Sequence, residues 1–274
     1  MQIAAKYPQA SRIWRVATRS IEGAVDDFTI LRALILRNLR VQHAHNPLGI
    51  FAEFLRPVVI CAAHYFFFTL TNRPVPGHQY AIFTIGGFSI YFAFVAAYSG
   101  TFDGGKWPQG ATQIPGVTRM HLRVARVLWA FVLHVVFAFA IVVPLALIGQ
   151  SVSVPDIPLT MGDFAMAVGI GFGYGLITSG IGVLLPGLIP FLKITQWAVF
   201  ITSGVYDSLV NMPYVMAAVI WYNPLIHLAE FQRHAYYAGY PTYLVSLTYP
   251  LAWAVGLTLL GLLMNRALCN RKSL

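Results

Sequence analysis

Long apolar stretches, each followed by a short polar break, are the feature that most limits what this chain can fold into. Six of them approach the length that a helix needs, at 1.5 Å per residue, to cross the ~30 Å core of a bilayer. The chain is 58% hydrophobic and only 10% charged, whereas soluble domains are about 25% charged. The pattern predicts an all-α integral membrane protein with six transmembrane helices.

The predicted spans are separated by loops that are rich in proline, glycine and polar residues. They cover residues 51–71, 80–99, 124–148, 164–185, 189–206 and 244–264. Residues 51–274 are accordingly assigned to a single transmembrane domain. The fourth span is rich in glycine, which lets a neighbouring helix approach closely in lipid.

Residues 1–50 precede the first span and are predicted to form a cytoplasmic N-terminal region. Between Phe28 and Leu39, apolar residues recur every three to four positions with arginines between them. This spacing is typical of an amphipathic helix that lies in the membrane interface, with its arginines toward lipid phosphates. A helix packed on the protein's own flank is the alternative.

The basic residues indicate how the chain is oriented. All but Arg73 and Arg233 of the 18 Lys and Arg residues fall on one side when the N-terminus is cytoplasmic, as the positive-inside rule expects. They are spread between the spans and form no single stripe, which argues against nucleic-acid binding. If residues 214–221 crossed the membrane, the basic tail would lie outside. We therefore expect residues 207–240 to form a re-entrant hairpin between the fifth and sixth spans, with both termini cytoplasmic.

The sequence carries no motif for a chemistry of its own. It contains no nucleotide-binding P-loop, no zinc-type histidine motif and no nucleophile elbow. Cys61 and Cys269 lack a metal-type spacing. Acidic residues, which ion-coupled carriers use, are nearly absent from the spans. We predict no catalytic residue, metal site or cofactor in this chain, so any transport would draw its energy from a partner.

Three blocks carry a family resemblance that covers nearly the whole chain after about Phe28. Residues 34–57 contain arginines, a Leu-Gly turn and a proline, and residues 116–126 end in Ala-Arg. Residues 203–240 contain a Ser-Gly turn, a proline before a short helix, and Asn-Pro-Leu followed by His, Glu and Arg. Together they resemble the permeases of type-2 ABC transporters that export capsular polysaccharide or O-antigen across the bacterial inner membrane. The residues matched in the third block are Gly204, Pro213, Asn223, Pro224, His227, Glu230 and Arg233.

The chain departs from the family pattern at three positions. Arg56 stands where the family commonly has an acid before the first-span proline, and His121 replaces an acid five residues before the Ala-Arg pair. Ala130 replaces an acid that often follows this pair. The cytoplasmic ion pairs of the family are therefore not transferred to this chain.

The resemblance implies an assembly of two permease copies with two copies of a separate ATPase, which would hold the ATP and magnesium. Export partners in the periplasm and outer membrane are also implied. The loop at residues 101–120 would contain a short coupling helix, with Asp103 as its N-cap. We expect Lys106 and Trp107 to dock on the ATPase; a plain solvated connector is the alternative.

A sugar polymer needs a path with aromatic rings that stack on its C–H faces. The aromatic residues that we expect in such a path lie within spans and are Tyr65, Tyr91, Tyr98, Trp129 and Tyr174. Interfacial belts and core packing are the competing interpretation of these rings, and the sequence does not identify the pore face.

The substrates of this family carry an acidic lipid anchor, which arginines near the cytoplasmic entrance would attract. Arg37, Arg40 and Arg56 are the candidates, although positive-inside placement explains them equally well. Glu230 and Arg233 are three residues apart and are able to pair on one helical face. This pair is interpreted either as a structural clamp or as a substrate contact.

Three other functions fit parts of the sequence. A type-2 ABC exporter of O-antigen, teichoic acid, lipid or drug would share the topology, and capsule is favoured by the compact length and short outer loops. A membrane enzyme acting on lipid-linked sugars would use the acids and histidines near the outer side, which are Asp207, His227, Glu230 and His234. A channel or structural membrane protein would work without an ATPase.

Overall fold

The computed structural model describes residues 27–37, 49–102, 117–147 and 156–271. Within these ranges every regular element is a helix. The helices are α1 (residues 27–37), α2 (Gly49–Leu70), α3 (Tyr80–Thr101), α4 (Arg119–Leu147), α5 (Ile157–Leu184), α6 (Ile189–Ile201), α7 (Tyr214–Ile220), α8 (Pro224–Tyr236) and α9 (Thr248–Arg271). Short 3-10 turns precede α3 and α6. The described part of the chain is thus all-helical, as predicted.

Four helices are long and apolar enough to cross a membrane: α3, α4, α5 and the Thr248–Leu268 part of α9. They correspond to the second, third, fourth and sixth predicted spans. The apolar stretches Leu55–Leu70 in α2 and Pro186–Ile201 around α6 are shorter. The prediction of an integral membrane helical protein is confirmed, and the count of six spans stays a prediction.

Helix α5 begins earlier than the predicted fourth span, and its cap explains the difference. The helix starts at Ile157, where the Asp156 carboxylate accepts a hydrogen bond from the Leu159 amide. Pro158 lies in the first turn, where the missing N–H of proline is harmless and its fixed φ suits the helix. This local chemistry moves residues 157–163 from the expected loop into the helix.

Helix α6 ends before the predicted fifth span does. It stops at Ile201, and the chain turns at Gly204, whose φ is 75°. This left-handed conformation favours glycine, and a Cβ at Gly204 would lie only 2.6 Å from Ile226 Cγ1. The turn therefore requires glycine both for its backbone angle and for its contact with α8.

Helix α5 lies at the centre of the described bundle and packs most extensively against α9 and α3. A Cβ on Gly171 would lie 2.4 Å from the Phe94 carbonyl oxygen, and one on Gly173 would lie 2.5 Å from the Leu257 carbonyl carbon. The backbones of the three helices are thus nearly in contact. This is the close packing that small residues permit in lipid.

Helix α1 is docked on the start of α4. Leu34 is buried against Leu122 and Ala125, and the Asp27 carboxylate lies 3.1 Å from His121 Nε2. Both arginines of α1 are exposed. One face of α1 therefore packs on the protein while its basic face points away.

Helices α7 and α8 follow one another with a sharp break between them. The Asn223 side chain accepts from the Leu225 amide at 3.0 Å and donates to Thr202 Oγ1 at 2.7 Å. It thereby caps α8 and ties its start to the end of α6. Helix α8 is largely buried between α3 and α5, whereas most of α7 is exposed.

Candidate functional site: an aromatic groove and an arginine clamp

A cavity of about 740 Å³ opens between α2, α3, α4 and α6. We call it the aromatic groove because six aromatic side chains line it, namely Phe88, Tyr91, Phe92, Trp129, Trp197 and Phe200. Its volume lies within the range of small-molecule sites in proteins, about 300–1,000 Å³. The groove is therefore large enough for a short segment of a polymer.

The rings of the groove form a connected wall. The ring centroids of Tyr91 and Phe200 are 4.6 Å apart, and those of Trp197 and Phe200 are 6.1 Å apart. On α4, the Trp129 indole N–H is buried without a hydrogen-bond partner among the described residues. The wall thus offers aromatic faces, while the indole nitrogen of Trp129 lies beneath the surface.

The groove is basic, because Arg56 from α2 and Arg126 from α4 line it. Arg56 lies close enough to the Tyr91 hydroxyl to interact with it electrostatically. No Asp or Glu is among the residues that line the groove. An electropositive, aromatic cavity is suited to a ligand that carries both apolar faces and oxyanions.

The five aromatic residues predicted for the pore lie in three different environments. Tyr91 and Trp129 line the aromatic groove. Tyr98 and Tyr174 pack against each other between α3 and α5, with ring centroids 5.3 Å apart. Tyr65 is exposed on α2 outside the groove. The structure therefore brings two of the five together in one cavity.

The predicted entrance and coupling residues are only partly described. Arg56 lines the groove, and Arg37 is exposed on α1. Arg40 lies outside the described residues, as do the predicted ATPase-coupling residues Asp103, Lys106 and Trp107. Their roles stay predictions.

A second arrangement, the arginine clamp, consists of Arg233 on α8 and the groups around it. The Arg233 side chain is fully buried, with its guanidinium 3.6 Å from the centroid of the Phe83 ring. It donates to the Phe83 carbonyl at 3.1 Å, to the Gly204 carbonyl and to the Tyr240 hydroxyl at 3.4 Å. Its Nη1 lies 3.3 Å from Glu230 Oε1. One side chain thus joins α8 to α3 and to the turn after α6.

The Glu230 carboxylate is held by more than its arginine partner. It accepts from Ser208 Oγ and from the Leu209 amide, both at 3.2 Å. Burial raises the pKa of the Glu230 carboxyl, while Arg233 and these hydrogen bonds lower it. A buried ion pair needs such extra hydrogen bonds to offset its desolvation; here burial is the larger effect, so the pKa of Glu230 remains above its usual value.

Two glycines make room for the clamp and were not singled out from the sequence. A Cβ on Gly86 would lie 2.6 Å from Arg233 Cγ, and one on Gly87 would lie 2.7 Å from Arg233 Nη2. The adjacent glycines within the second apolar stretch were the available signal, since neighbouring glycines in a membrane helix mark a close approach.

The other predicted residues of the 207–240 region are bonded within the protein. His227 Nδ1 accepts from the Ser246 amide at 3.1 Å, so its Nε2 carries the hydrogen that the Trp221 carbonyl accepts at 2.9 Å. Asp207 pairs with Arg73 at 2.5 Å. Pro213 and Pro224 stand at the starts of α7 and α8. These contacts are those of a folded element, with no free acid–base pair.

Asp163 is a buried acid that the sequence prediction missed. It is fully buried in α5, and neither carboxylate oxygen has a hydrogen-bond partner among the described residues. Tyr236 of α8, which accepts from the Gln232 amide, lies within electrostatic range of it. Asp163 falls one residue before the predicted fourth span. The helix-start signal at Asp156–Pro158 could have extended that span to include Asp163. Within the described ranges, no three His, Cys, Asp or Glu side chains form a group that could hold a metal ion.

Comparison with known proteins gives a distant similarity that spans most of the chain. No family model matches it. Two curated sequences do, each a polysialic acid transport protein KpsM from Escherichia coli, at 22% identity over 241 residues. The alignment covers 86% of this chain and 92% of the relative. The similarity therefore spans most of the chain and is not confined to one motif.

Proposed function

We propose that this chain is the membrane-spanning permease subunit of an ABC transporter that exports a lipid-linked polysaccharide, of the capsular kind, across the bacterial inner membrane. The distant similarity to a polysialic acid transport protein and the four membrane-length helices support a transport role. The chain would not be an enzyme, because ATP would be hydrolysed on a separate partner subunit.

The observation that carries the substrate class is the wall of the aromatic groove. Sugar rings present C–H faces that stack on aromatic side chains, and their hydroxyls need polar partners that exchange as the polymer slides. The groove combines six aromatic rings with two arginines. Such a surface binds a repeating glycan without fixing it at one register.

In the proposed assembly two permease copies face each other and two ATPase copies bind at the cytoplasmic side. The first and fifth predicted spans, α2 and α6, form two walls of the groove. Helix α6 has no residue that is buried within this chain, so its outer surface is available to lipid or to a second copy. Six spans and a re-entrant α7–α8 hairpin belong to this proposal, as do the cytoplasmic termini.

The contacts of the outer histidines and acids weigh against an enzyme that acts on lipid-linked sugars. General acid–base catalysis needs a carboxyl or imidazole within reach of a substrate. Glu230 is buried in the arginine clamp, Asp207 pairs with Arg73, and His227 bonds to backbone groups on both ring nitrogens. Another type-2 exporter, carrying O-antigen, teichoic acid, lipid or drug, is the closer alternative because it would use the same helices.

The proposal is tested by purifying the tagged full-length chain from its native host in mild detergent. We expect an ABC ATPase to copurify and its ATPase activity to depend on this chain. Charge reversal at Lys106 together with Trp107→Ala should reduce both copurification and surface polysaccharide, whereas Trp253→Ala, a control on α9, should change neither. Export or glycan modification by the reconstituted chain alone, without any ATPase, would contradict the proposal.

A further inference from the structure

Three polar side chains on α5 and α8, which pack against each other, have buried oxygens without a hydrogen-bond partner among the described residues. They are Thr160 and Asp163 on α5 and Gln232 on α8, and all three side chains are fully buried. Four oxygen atoms are involved, since both carboxylate oxygens of Asp163 are without a partner. We call these four atoms the oxygen cluster. Buried polar atoms in folded proteins nearly always have a partner, so a group of acceptors of this kind calls for an explanation.

The two helices bring the members of the oxygen cluster to the same tyrosine. Thr160 and Asp163 are three residues apart, so they lie on one face of α5. Asp163 interacts electrostatically with Tyr236 of α8, whose hydroxyl accepts a hydrogen bond from the Gln232 amide nitrogen. This bond uses the nitrogen of the Gln232 side chain and leaves its Oε1 as the unpartnered atom. The α5 carboxylate and the α8 amide are thus both within range of Tyr236.

The charge of Asp163 is not balanced within the described part of the chain. There, the charged group that acts on it is Asp156, a second acid at the start of α5. Arg233 and His234 of α8 bond to other groups, namely the members of the arginine clamp and a backbone carbonyl. A carboxylate within a membrane protein is costly unless it is paired, so Asp163 requires a positive charge from elsewhere.

The segments outside the described ranges do not offer such a charge near the start of α5. Residues 148–155, which join α4 to α5, contain no lysine, arginine or histidine. In the predicted topology the other undescribed segments lie on the opposite side of the membrane from the start of α5. The positive charge is therefore expected to come from solution.

The donor set indicates what kind of cation fits. Carboxylate, hydroxyl and amide oxygens are hard ligands, which suit hard cations better than zinc or copper. One carboxylate balances one positive charge, whereas calcium sites usually draw on several acidic side chains. Within the described ranges no three His, Cys, Asp or Glu side chains form a group for a metal ion, which also argues against a divalent ion. A sodium ion needs one anionic ligand and otherwise neutral oxygens.

We propose that the oxygen cluster binds a sodium ion, with Asp163 as its anionic ligand and with Thr160 Oγ1 and Gln232 Oε1 as neutral ligands. The ion braces α5 against α8, the helix that also carries the arginine clamp, and supplies the positive charge that Asp163 lacks. The site is structural, and it does not depend on what the chain transports.

Thermal unfolding of the purified full-length chain tests the proposal. The protein is prepared in a nonionic detergent with N-methyl-D-glucamine chloride, and sodium chloride then replaces this salt at constant ionic strength. We expect the unfolding temperature to rise saturably with sodium, by about 5 °C, since a ligand that binds only the folded state stabilises it. Equilibrium dialysis with radioactive sodium should show saturable binding to the same preparation.

Substitutions identify the ligands. Asp163→Asn should abolish the sodium response, and in sodium-free buffer it should be at least as stable as the native sequence because it removes an uncompensated charge. Thr160→Val replaces a hydroxyl with a methyl group of similar shape and should weaken sodium binding by about tenfold. Asp156→Asn is the matched control. Asp156 is an exposed acid that caps the same helix, and asparagine caps about equally well, so this variant should keep the sodium response.

Two results would overturn the proposal. One is an unfolding temperature that does not change with sodium, or that changes equally in Asp163→Asn. Water or a proton would then be sufficient to satisfy the carboxylate. The other is saturable sodium binding that survives Asp163→Asn, which would place the ion elsewhere. Neither result affects the copurification of an ATPase, so failure of the sodium site is distinguishable from failure of the proposed function.

Discussion

The arginine clamp and the aromatic groove use the same residue types in opposite ways. In the clamp, Arg233 stacks on Phe83 and is surrounded by acceptors from three segments of the chain. In the groove, Arg56 and Arg126 line a cavity together with aromatic rings, and no Asp or Glu is among its lining residues. The comparison teaches that residue type alone does not identify an arginine whose hydrogen bonds are satisfied within the described fold. The two regions differ in the acceptors that the described residues supply to their arginines.

The largest expected effect comes from breaking the clamp. Arg233→Ala leaves the buried Glu230 carboxylate without its cation and the Gly204 carbonyl without a donor. Removing one partner of a buried ion pair costs about 3–5 kcal/mol. We expect a large fall in the thermal unfolding temperature of the protein in detergent, and loss of export. An unchanged unfolding temperature would show that the clamp is not structural.

A smaller loss of stability is expected when the clamp is crowded but keeps all of its groups. Gly87→Ala would place a Cβ 2.7 Å from Arg233 Nη2 and 3.1 Å from Val205 Cα. Overpacking of this kind costs about 1–3 kcal/mol, measurable by denaturant unfolding. Gly162→Ala is the matched control, because nothing lies within 4 Å of the added Cβ. The control should be neutral or stabilising by up to about 1 kcal/mol.

A substitution at Asp163 tests whether a buried carboxylate beside α8 needs an ion pair and hydrogen bonds like those of Glu230. It is fully buried and unpartnered among the described groups, so Asp163→Asn should increase the free energy of unfolding at neutral pH by about 1 kcal/mol. Asp156→Asn is the control, since either residue caps a helix about equally well, and its effect should be close to zero. A destabilised Asp163→Asn variant would mean that the carboxylate has a partner from outside the described residues.

The smallest change in stability is expected in the groove. Trp197 is 66% exposed, so Trp197→Ala should alter the free energy of unfolding by less than about 0.5 kcal/mol. Surface polysaccharide should nevertheless fall if the groove is the proposed sugar path, because one of its rings is removed. Trp253→Ala, on the outside of α9 at 40% exposure, should leave export unchanged. Equal export in both variants would remove the functional distinction between the groove and the rest of the surface.

The apolar pattern was sufficient to predict the membrane helices, because length and hydrophobicity are properties of a single segment. It placed α3, α4, α5 and α9 with errors mainly at their ends. The spacing of Glu230 and Arg233 likewise predicted their pairing, since three residues on a helix bring two side chains together. Their separation of 3.3 Å agrees with that expectation.

The lining of the groove was harder to predict from the sequence. Its residues come from four helices, and the face that each helix turns toward the groove depends on packing. Tyr65 and Tyr91 both lie in apolar stretches, yet only Tyr91 faces the cavity. Arg126 resembles an ordinary cytoplasmic charge until α2 and α4 are seen to line the same cavity. Likewise, the sequence around Gly86 and Gly87 does not reveal that the Arg233 side chain fills the space beside them.

The glycine contacts of α5 have a consequence for how the protein could move. Where Gly171 and Gly173 meet α3 and α9, the nearest atoms are backbone and Cβ atoms, so these three helices are expected to shift as a block. Helix α6, by contrast, has no residue buried within this chain. A change in the width of the groove would then require α2 and α6 to move relative to the α3–α5–α9 block. A disulfide between those two walls should arrest transport while leaving the α3–α5–α9 block intact.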